Sequence, residues 1–294
     1  MDTFFLQSFI AVVDHGSLAE AARWLNLTPA AVAQRIKALE AEIGSPLIMR
    51  VGRETRPTEG GAAILEQARQ IVREVRDLKA AAGNSVVAGE LRIGAVATAL
   101  TGLIPDVMAE MIARHPDIEI YLEPGASVDL YRLVLAGELD AAVITVPTFA
   151  IPKTCALTVI REEPLVVIAP QSFAGEDPHT LLRTQPLIRY DRKQWGGRLA
   201  DRYIAEAGIA PRERFELDAL DAIAILVDRG LGVSLVPDWA PPWPEGLSIA
   251  KIPLPEPAPK RLVGVVRLIA SPRTPGVNAF LNACHKCIVG KRPP

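Results

Sequence analysis

Cysteine is scarce in this chain of 294 residues, with only Cys155, Cys284 and Cys287. Three thiols cannot build a disulfide framework, so the fold must rest on buried apolar surface. Histidine is equally sparse, and His15, His115, His179 and His285 each stand alone. No ligand set for a metal is therefore expected. The sequence holds no P-loop, GxGxxG, nucleophile elbow or HExxH in a suitable context, so neither an enzyme nor a cofactor is expected. No apolar run is long enough to span a bilayer. The start, Met-Asp-Thr-Phe-Phe, has no basic segment before an apolar one. It is not a signal peptide on this reading, and a cytoplasmic protein without a membrane partner is expected. The net charge of −2 argues against wholesale coating of nucleic acid, though it leaves room for a local basic face. What is present is 49% hydrophobic and 22% charged residues, the balance of a globular protein long enough for a small domain and a large one. Cys284-His-Lys-Cys287 is a CxxC that reads as a redox pair, as half of a zinc site, or as two cysteines of an ordinary helix.

The most informative stretch is residues 17–40. Ser17 followed by Glu20 is a capping box that starts a helix at Leu18. Leu18, Ala22 and Leu25 give it one apolar stripe, which Asn26 and Leu27 interrupt. Thr28 is a suitable N-cap and Pro29 suits the first helical position of a second helix. Its inner stripe is Val32, Ile36 and Leu39. Ala30, Ala33, Gln34 and Lys37 then fall on the opposite face with Arg35 on the flank. Small residues permit close approach, and Gln, Arg and Lys bond base edges or phosphates. A bare amphipathic helix pair makes the same pattern, so the flanks must decide. Phe5, Phe9, Ile10 and Val13 supply a first helix to pack on the pair. Residues 44–61 read as strand, turn, strand, with Arg50, Arg53 and Arg56 around Gly52. Residues 23–58 hold six Lys or Arg against three Asp or Glu. A winged helix-turn-helix over residues 1–58 follows, with double-stranded DNA as partner and Ser17, Thr28, Pro29, Ala30, Ala33, Gln34, Arg35, Lys37, Arg50, Arg53 and Arg56 as its contacts.

A long helix comes next, capped by Thr58 and running to Gly83. Ile64, Ala68, Ile71, Val75, Leu78 and Ala82 step along it by four and three in alternation, the seam of a two-stranded coiled coil. Residues 59–88 are thus expected to be a linker that makes the chain a homodimer and then a hinge. Two heads would then meet two half-sites on one DNA.

From Leu91 the pattern alternates. Strands are predicted at Leu91–Ala97, Ile118–Glu123 and Asp140–Thr145, with helices at Leu100–His115 and Val128–Ala136 between them. That is a βαβαβ run with a parallel sheet. Further strands are predicted near Leu165–Ala169, Leu187–Tyr190, Gly232–Val236 and Arg261–Ile269. Helices are predicted near Arg198–Ala207, Leu220–Arg229 and Val277–Ile288. Eight prolines from Pro237 to Pro259 mark an irregular stretch.

Taken in order, Ser17–Glu40, Gly44-Ser-Pro-Leu47, Arg56-Pro-Thr-Glu-Gly-Gly61, Gly89-Glu-Leu-Arg-Ile-Gly94 and Gly230-Leu-Gly-Val-Ser-Leu-Val-Pro237 resemble the LysR-type transcriptional regulators over the whole chain. Where relatives commonly start the recognition helix with Ser-Gln, and place a Ser and then an Arg further on, this chain has Thr28, Pro29, Ala33 and Gln34. The resemblance implies a C-terminal α/β two-lobed periplasmic-binding-protein-like domain over 89–294, with lobe I at 89–161 and 268–294 and lobe II at 162–267. The chain would cross between lobes near Arg161–Glu163 and Val265–Leu268. A small-molecule effector would sit between the lobes, where strand ends and helix N-termini converge. Thr98, Thr101, Ser127, Thr145, Gln194, Trp195, Arg198 and Asp218 are the expected contacts. Ser, Thr and Asp at helix starts are also ordinary caps. Helix N-termini with Arg192 and Arg198 suit an anionic, carboxylate-like ligand. The implied function is a ligand-responsive, DNA-binding regulator, a dimer or dimer of dimers with RNA polymerase as a further contact. A constitutive regulator without ligand and a CxxC-based redox protein are the alternatives.

Overall fold

A computed structural model describes residues 2–52, 54–82, 89–271 and 273–289. Arg53 and the expected hinge at 83–88 lie outside them. The chain divides into two compact units, Met1–Asn84 and Ser85–Pro294.

In the first unit α1 (Thr3–His15), α2 (Leu18–Trp24) and α3 (Pro29–Ile43) precede a hairpin of β1 (Ile48–Val51) and β2 (Glu54–Pro57), and α4 (Glu59–Ala82) follows. Each helix starts where a side chain accepts a first-turn N–H, as orphan donors require. Asp2 does this for Phe4, Ser17 for Glu20, Thr28 for Ala31 and Thr58 for Gly61. Only half of the expected capping box forms, because the Glu20 carboxylate turns to Arg23. Asn26, in the left-handed region at φ 53°, makes the turn between α2 and α3. Val32, Ile36 and Leu39 are buried with Leu6, Phe9 and Val12 in one core.

The second unit is built on a mixed sheet. β3 (Gly89–Ala95) runs parallel to β4 (Ile118–Pro124) and to β5 (Ala141–Thr145). β11 (Lys260–Leu268) adds antiparallel to β5, and β6 (Cys155–Pro170) antiparallel to β11. The expected helix Leu100–His115 is two helices, α5 (Ala97–Gly102) and α6 (Ile104–Arg114), broken at Leu103. Pro105 has no N–H to continue a helix and is accepted only in a first turn. α7 (Ser127–Leu135) follows β4, and α11 (Thr274–Val289) closes this lobe over Met111, Phe280 and Cys284.

β6 is one 16-residue strand that serves both lobes. Cys155–Pro164 pairs with β11, while Leu165–Pro170 pairs with β9 (Ser234–Pro237) and β10 (Ile249–Pro253). The change of partner along β6 falls between Pro164 and Leu165. The return does not fall at Val265–Leu268: those residues pair with lobe I strands, and Lys260–Leu262 lies opposite Glu162–Pro164. Lobe II further holds α8 (Pro178–Thr184), β7 (Pro186–Tyr190), α9 (Trp195–Glu206), β8 (Arg212–Leu217) and α10 (Leu220–Asp228). α8, β8 and β10 had no counterpart in the periodicity. β8, Arg-Glu-Arg-Phe-Glu-Leu, pairs in parallel with β7 and is largely exposed, so it carries no apolar alternation. β10 lies inside the proline-rich stretch read as irregular.

Candidate functional site

The outward face of α3 carries Thr28, Pro29, Ala30, Gln34 and Lys37, all exposed, with Ala33 half-buried. Arg35 is half-buried and its guanidinium lies 5.5 Å from the Phe4 ring centre. Ser17 is half-buried as the α2 cap. The wing is fastened by backbone. Glu40 Oε1 accepts from Leu47 N (2.8 Å), Thr55 N donates to Gly16 O (2.7 Å), and Thr58 N donates to Leu47 O (3.0 Å). At Gly61 a Cβ would stand 2.0 Å from the Leu47 carbonyl oxygen, so only glycine lets α4 begin this close to β1. Of the wing arginines described, Arg50 is exposed with Nε on Gly52 O, whereas Arg56 is ion-paired with Glu54 at 2.9 Å. Glu40, which holds α3 to the wing, was missed in the sequence because its partners are backbone groups beyond the helix.

The α4 seam is divided. Ala68 is buried, and Ile64 and Ile71 are partly buried, within the core of the same chain's head, joined by Val72. That half of the expected dimer seam already has intrachain partners. Leu78, 73% exposed, and half-buried Val75 lie beyond that core, and Ala82 ends the helix.

In the second unit a cavity of about 410 Å³ lies between the lobes. Thr98, Ser127, Thr145, Gln194, Trp195 and Asp218 line it together with Tyr190, Asp221 and Arg261. Two expected contacts are elsewhere. Thr101 is exposed on α5 with its hydroxyl on Ala97 O, and Arg198 is exposed with Nε on Arg192 O. Arg192 is not at the cavity either. It grips Glu216 at 2.8 Å, holding that carboxyl down at about 2 through hydrogen bonding.

The cationic group of the wall is Arg261, which was not anticipated. It is buried where the two crossing strands lie side by side, donating from Nε to Glu163 (2.7 Å) and from Nη2 to Thr98 Oγ1 (3.2 Å). Glu163 also accepts from Ala240 N at 3.3 Å. Tyr190 is buried beside it. Burial raises its hydroxyl pKa, with Arg261 acting in the opposite direction. Gly197 permits α9 to begin against β7, since a Cβ there would meet Asp191 O at 1.9 Å. Trp195 is 9% exposed, edge-on to Tyr131 (5.8 Å) and Phe149 (5.6 Å), so much of its ring is held by lobe I aromatics.

α7, α9 and α10 all begin on this cavity, at Ala126, Gln194 and Ala219, and none has a side-chain cap. Ser127 does not cap α7: its hydroxyl accepts from Thr145 N (3.0 Å), tying the helix start to the end of β5. Open helix starts at strand ends form a ready site for acceptor groups. The CxxC lies away from this cavity on α11. Cys284 is fully buried and its thiol is pushed up to about 12 by burial, which disfavours the thiolate that redox chemistry needs. Among the described residues no cluster of His, Cys, Asp and Glu is arranged to hold a metal ion. No described helix is long and apolar enough to cross a membrane.

A family model described as the LysR substrate binding domain matches residues 84–287. One described as the bacterial regulatory helix-turn-helix protein, lysR family, matches residues 5–62. The chain belongs to the LysR family. This LysR-type transcriptional regulator has a helix-turn-helix DNA-binding domain and an effector-binding domain, and members of its family are in general not enzymes. It is 31% identical over 236 residues to the HTH-type transcriptional regulator CzcR of Bacillus cereus, 80% of each chain. It is 26% identical over 277 residues to the hydrogen peroxide-inducible genes activator of Haemophilus influenzae, 91% and 90% of the two chains. Among solved structures its fold is similar to full-length OxyR from Pseudomonas aeruginosa, with TM-score 0.72, 23% identity, and 100% and 99% of the chains covered. It is also similar to full-length CbnR complexed with its target DNA, with TM-score 0.68, 24% identity, and 98% and 100% covered.

Proposed function

We propose that this LysR-type regulator binds double-stranded DNA in the cytoplasm as a homodimer or dimer of dimers. The N-terminal part of α3 lies in the major groove and the wing follows the phosphate backbone. Thr28, Pro29, Ala30, Ala33 and Gln34 meet base edges, while Lys37 and Arg50 meet phosphates. Dimerisation uses the second half of α4, around Val75 and Leu78, where the head's own core ends. A small metabolite in the cavity between the lobes favours one lobe arrangement over the other, and RNA polymerase contact follows from the DNA-bound state.

The observation that carries this reading is the two-sided cavity, ringed by helix starts that lack side-chain caps, in a chain whose head presents an uncovered α3 face. Salt titration of operator binding tests the DNA half. Each neutralised phosphate contributes about −0.9 to the slope of log K against log salt. Lys37→Ala and Arg50→Ala should each flatten the slope by about one unit while leaving base preference unchanged. An unaltered slope in both would remove these residues from the interface.

A further inference from the structure

Trp195 lies across the boundary between the lobes. It opens α9 in lobe II, yet its indole packs into a core with Leu130, Tyr131, Val134, Ile144 and Val266. Every other member of that core belongs to lobe I. Tyr131, Phe149 and Trp195 form a triangle of rings in which each pair meets edge-on. The centres are 5.8 Å apart for Tyr131 and Trp195, 5.6 Å for Phe149 and Trp195, and 5.9 Å for Tyr131 and Phe149. Ring quadrupoles favour this arrangement over face-to-face stacking. Phe149 is the exposed member and lies on the segment that follows β5.

The backbone of Trp195 is tied to lobe II. Gln194 N donates to Asp191 O at 3.0 Å, and a Cβ on Gly196 would stand 2.8 Å from the Tyr190 ring. The start of α9 is thus seated closely on β7, and Trp195 travels with its lobe. Widening the cavity at this wall withdraws the indole from lobe I and exposes apolar ring surface to water, which is unfavourable. Trp195 also lines the cavity, whereas Tyr131 and Phe149 do not. One side chain therefore faces both the space a ligand would fill and the contact that joins the lobes.

We propose that Trp195 is the latch of the effector unit. Docked between Tyr131 and Phe149, its indole holds the free protein in the present lobe arrangement. The latch itself rests on geometry alone. Its regulatory meaning rests on the effector reading above, in which a ligand biases the lobes by seating or unseating this indole.

The test breaks the latch from outside the cavity, with Phe149→Ala in the full-length protein. Spin labels on Ala136→Cys at the end of α7 and Glu206→Cys at the end of α9, both exposed, report the distance between lobes by pulsed electron paramagnetic resonance. Cys287→Ser removes the half-buried thiol, and Cys155 and Cys284 are buried. Labelled chains are diluted with unlabelled ones, so that only distances within one chain are read. Wild type should give one narrow distribution. Phe149→Ala should broaden it and lengthen its mean by roughly 5 Å or more, the scale of a domain shift. Phe149→Tyr, which keeps the ring, should restore the wild-type distribution. Unaltered urea unfolding of the head confirms that the variants are folded chains. An unchanged distribution in Phe149→Ala, or one that Phe149→Tyr fails to restore, overturns the latch. A reporter assay on the same variants separates the two readings. If the distance lengthens and basal output changes by about threefold or more, latch and effector reading both stand. If the distance lengthens and output is unmoved, the latch stands and lobe-coupled regulation falls. If the distance is unmoved, the latch falls whatever the reporter gives.

Discussion

The helices of the two units begin differently. In the head all four are closed by a side chain, Asp2, Ser17, Thr28 or Thr58. In the effector unit α8 is closed by Asp177, but α7, α9 and α10, which start on the cavity, have no such cap. The head satisfies its helix starts internally and leaves the outward face of α3 exposed. The effector unit leaves donors open at the place where two lobes converge. A cap omitted at one end of a helix weakens the free protein slightly and leaves N–H groups for a ligand.

This contrast can be broken or sharpened experimentally. The largest effect is expected from Arg261→Met. It leaves Glu163, 2% exposed, with only the part-exposed Arg161 at 3.3 Å to offset its charge, and loss of one member of a buried pair costs up to about 3–5 kcal/mol. Urea unfolding should show the effector unit falling and the head unmoved. Equal loss in both would mean that the units do not unfold separately.

Next come two cap exchanges of opposite sign. Thr28→Ala removes a head cap and should cost about 1 kcal/mol. Ala126→Asp supplies one to α7, whose Ala126 already has an N-cap conformation at φ −75° and ψ 147°, and should gain about 1 kcal/mol while abolishing ligand response. Calorimetric melting with a reporter assay checks both. An Ala126→Asp protein that is no more stable would show that the α7 start is already satisfied.

The smallest effect lies on the acid side of lobe II. Glu216 is lowered from 4.5 to about 2, chiefly by its hydrogen bonds with Arg192. Its contribution is therefore fully present above pH 4.5 and is lost as pH falls toward 2. Because both groups are partly exposed, the effect is small. Arg192→Ala should lower stability slightly above pH 4.5 and flatten the acid limb, so that the variant and wild-type curves converge toward pH 2. Parallel limbs would show the pair contributes nothing.

The head was largely legible in the sequence. Ser17, Thr28 and Pro29 act on donors within three residues, and Val32, Ile36 and Leu39 follow the helical period. The seam on α4 was legible as a stripe but not as to what covers it, since the spacing that suits a second copy also suits the head's own core. The cavity was legible in part. Strand ends and helix starts placed Thr98, Ser127, Thr145, Gln194, Trp195 and Asp218 on it, whereas Thr101 and Arg198 were placed there and face elsewhere. Arg261 went unnoticed because it lies within a strand and its partner is 98 residues away.

The sequence by itself determined the winged head, the long helix and the alternation of strands and helices. Those follow from capping and periodicity, which act over a few residues along the chain. Only the tertiary structure decided that Arg192 is held by Glu216, that Arg261 and Glu163 meet where β6 and β11 cross side by side, and that Asp218 and Asp221 line a cavity against the open start of α7. Coulombic pairing depends on distance through space, and sequence separation does not report that distance.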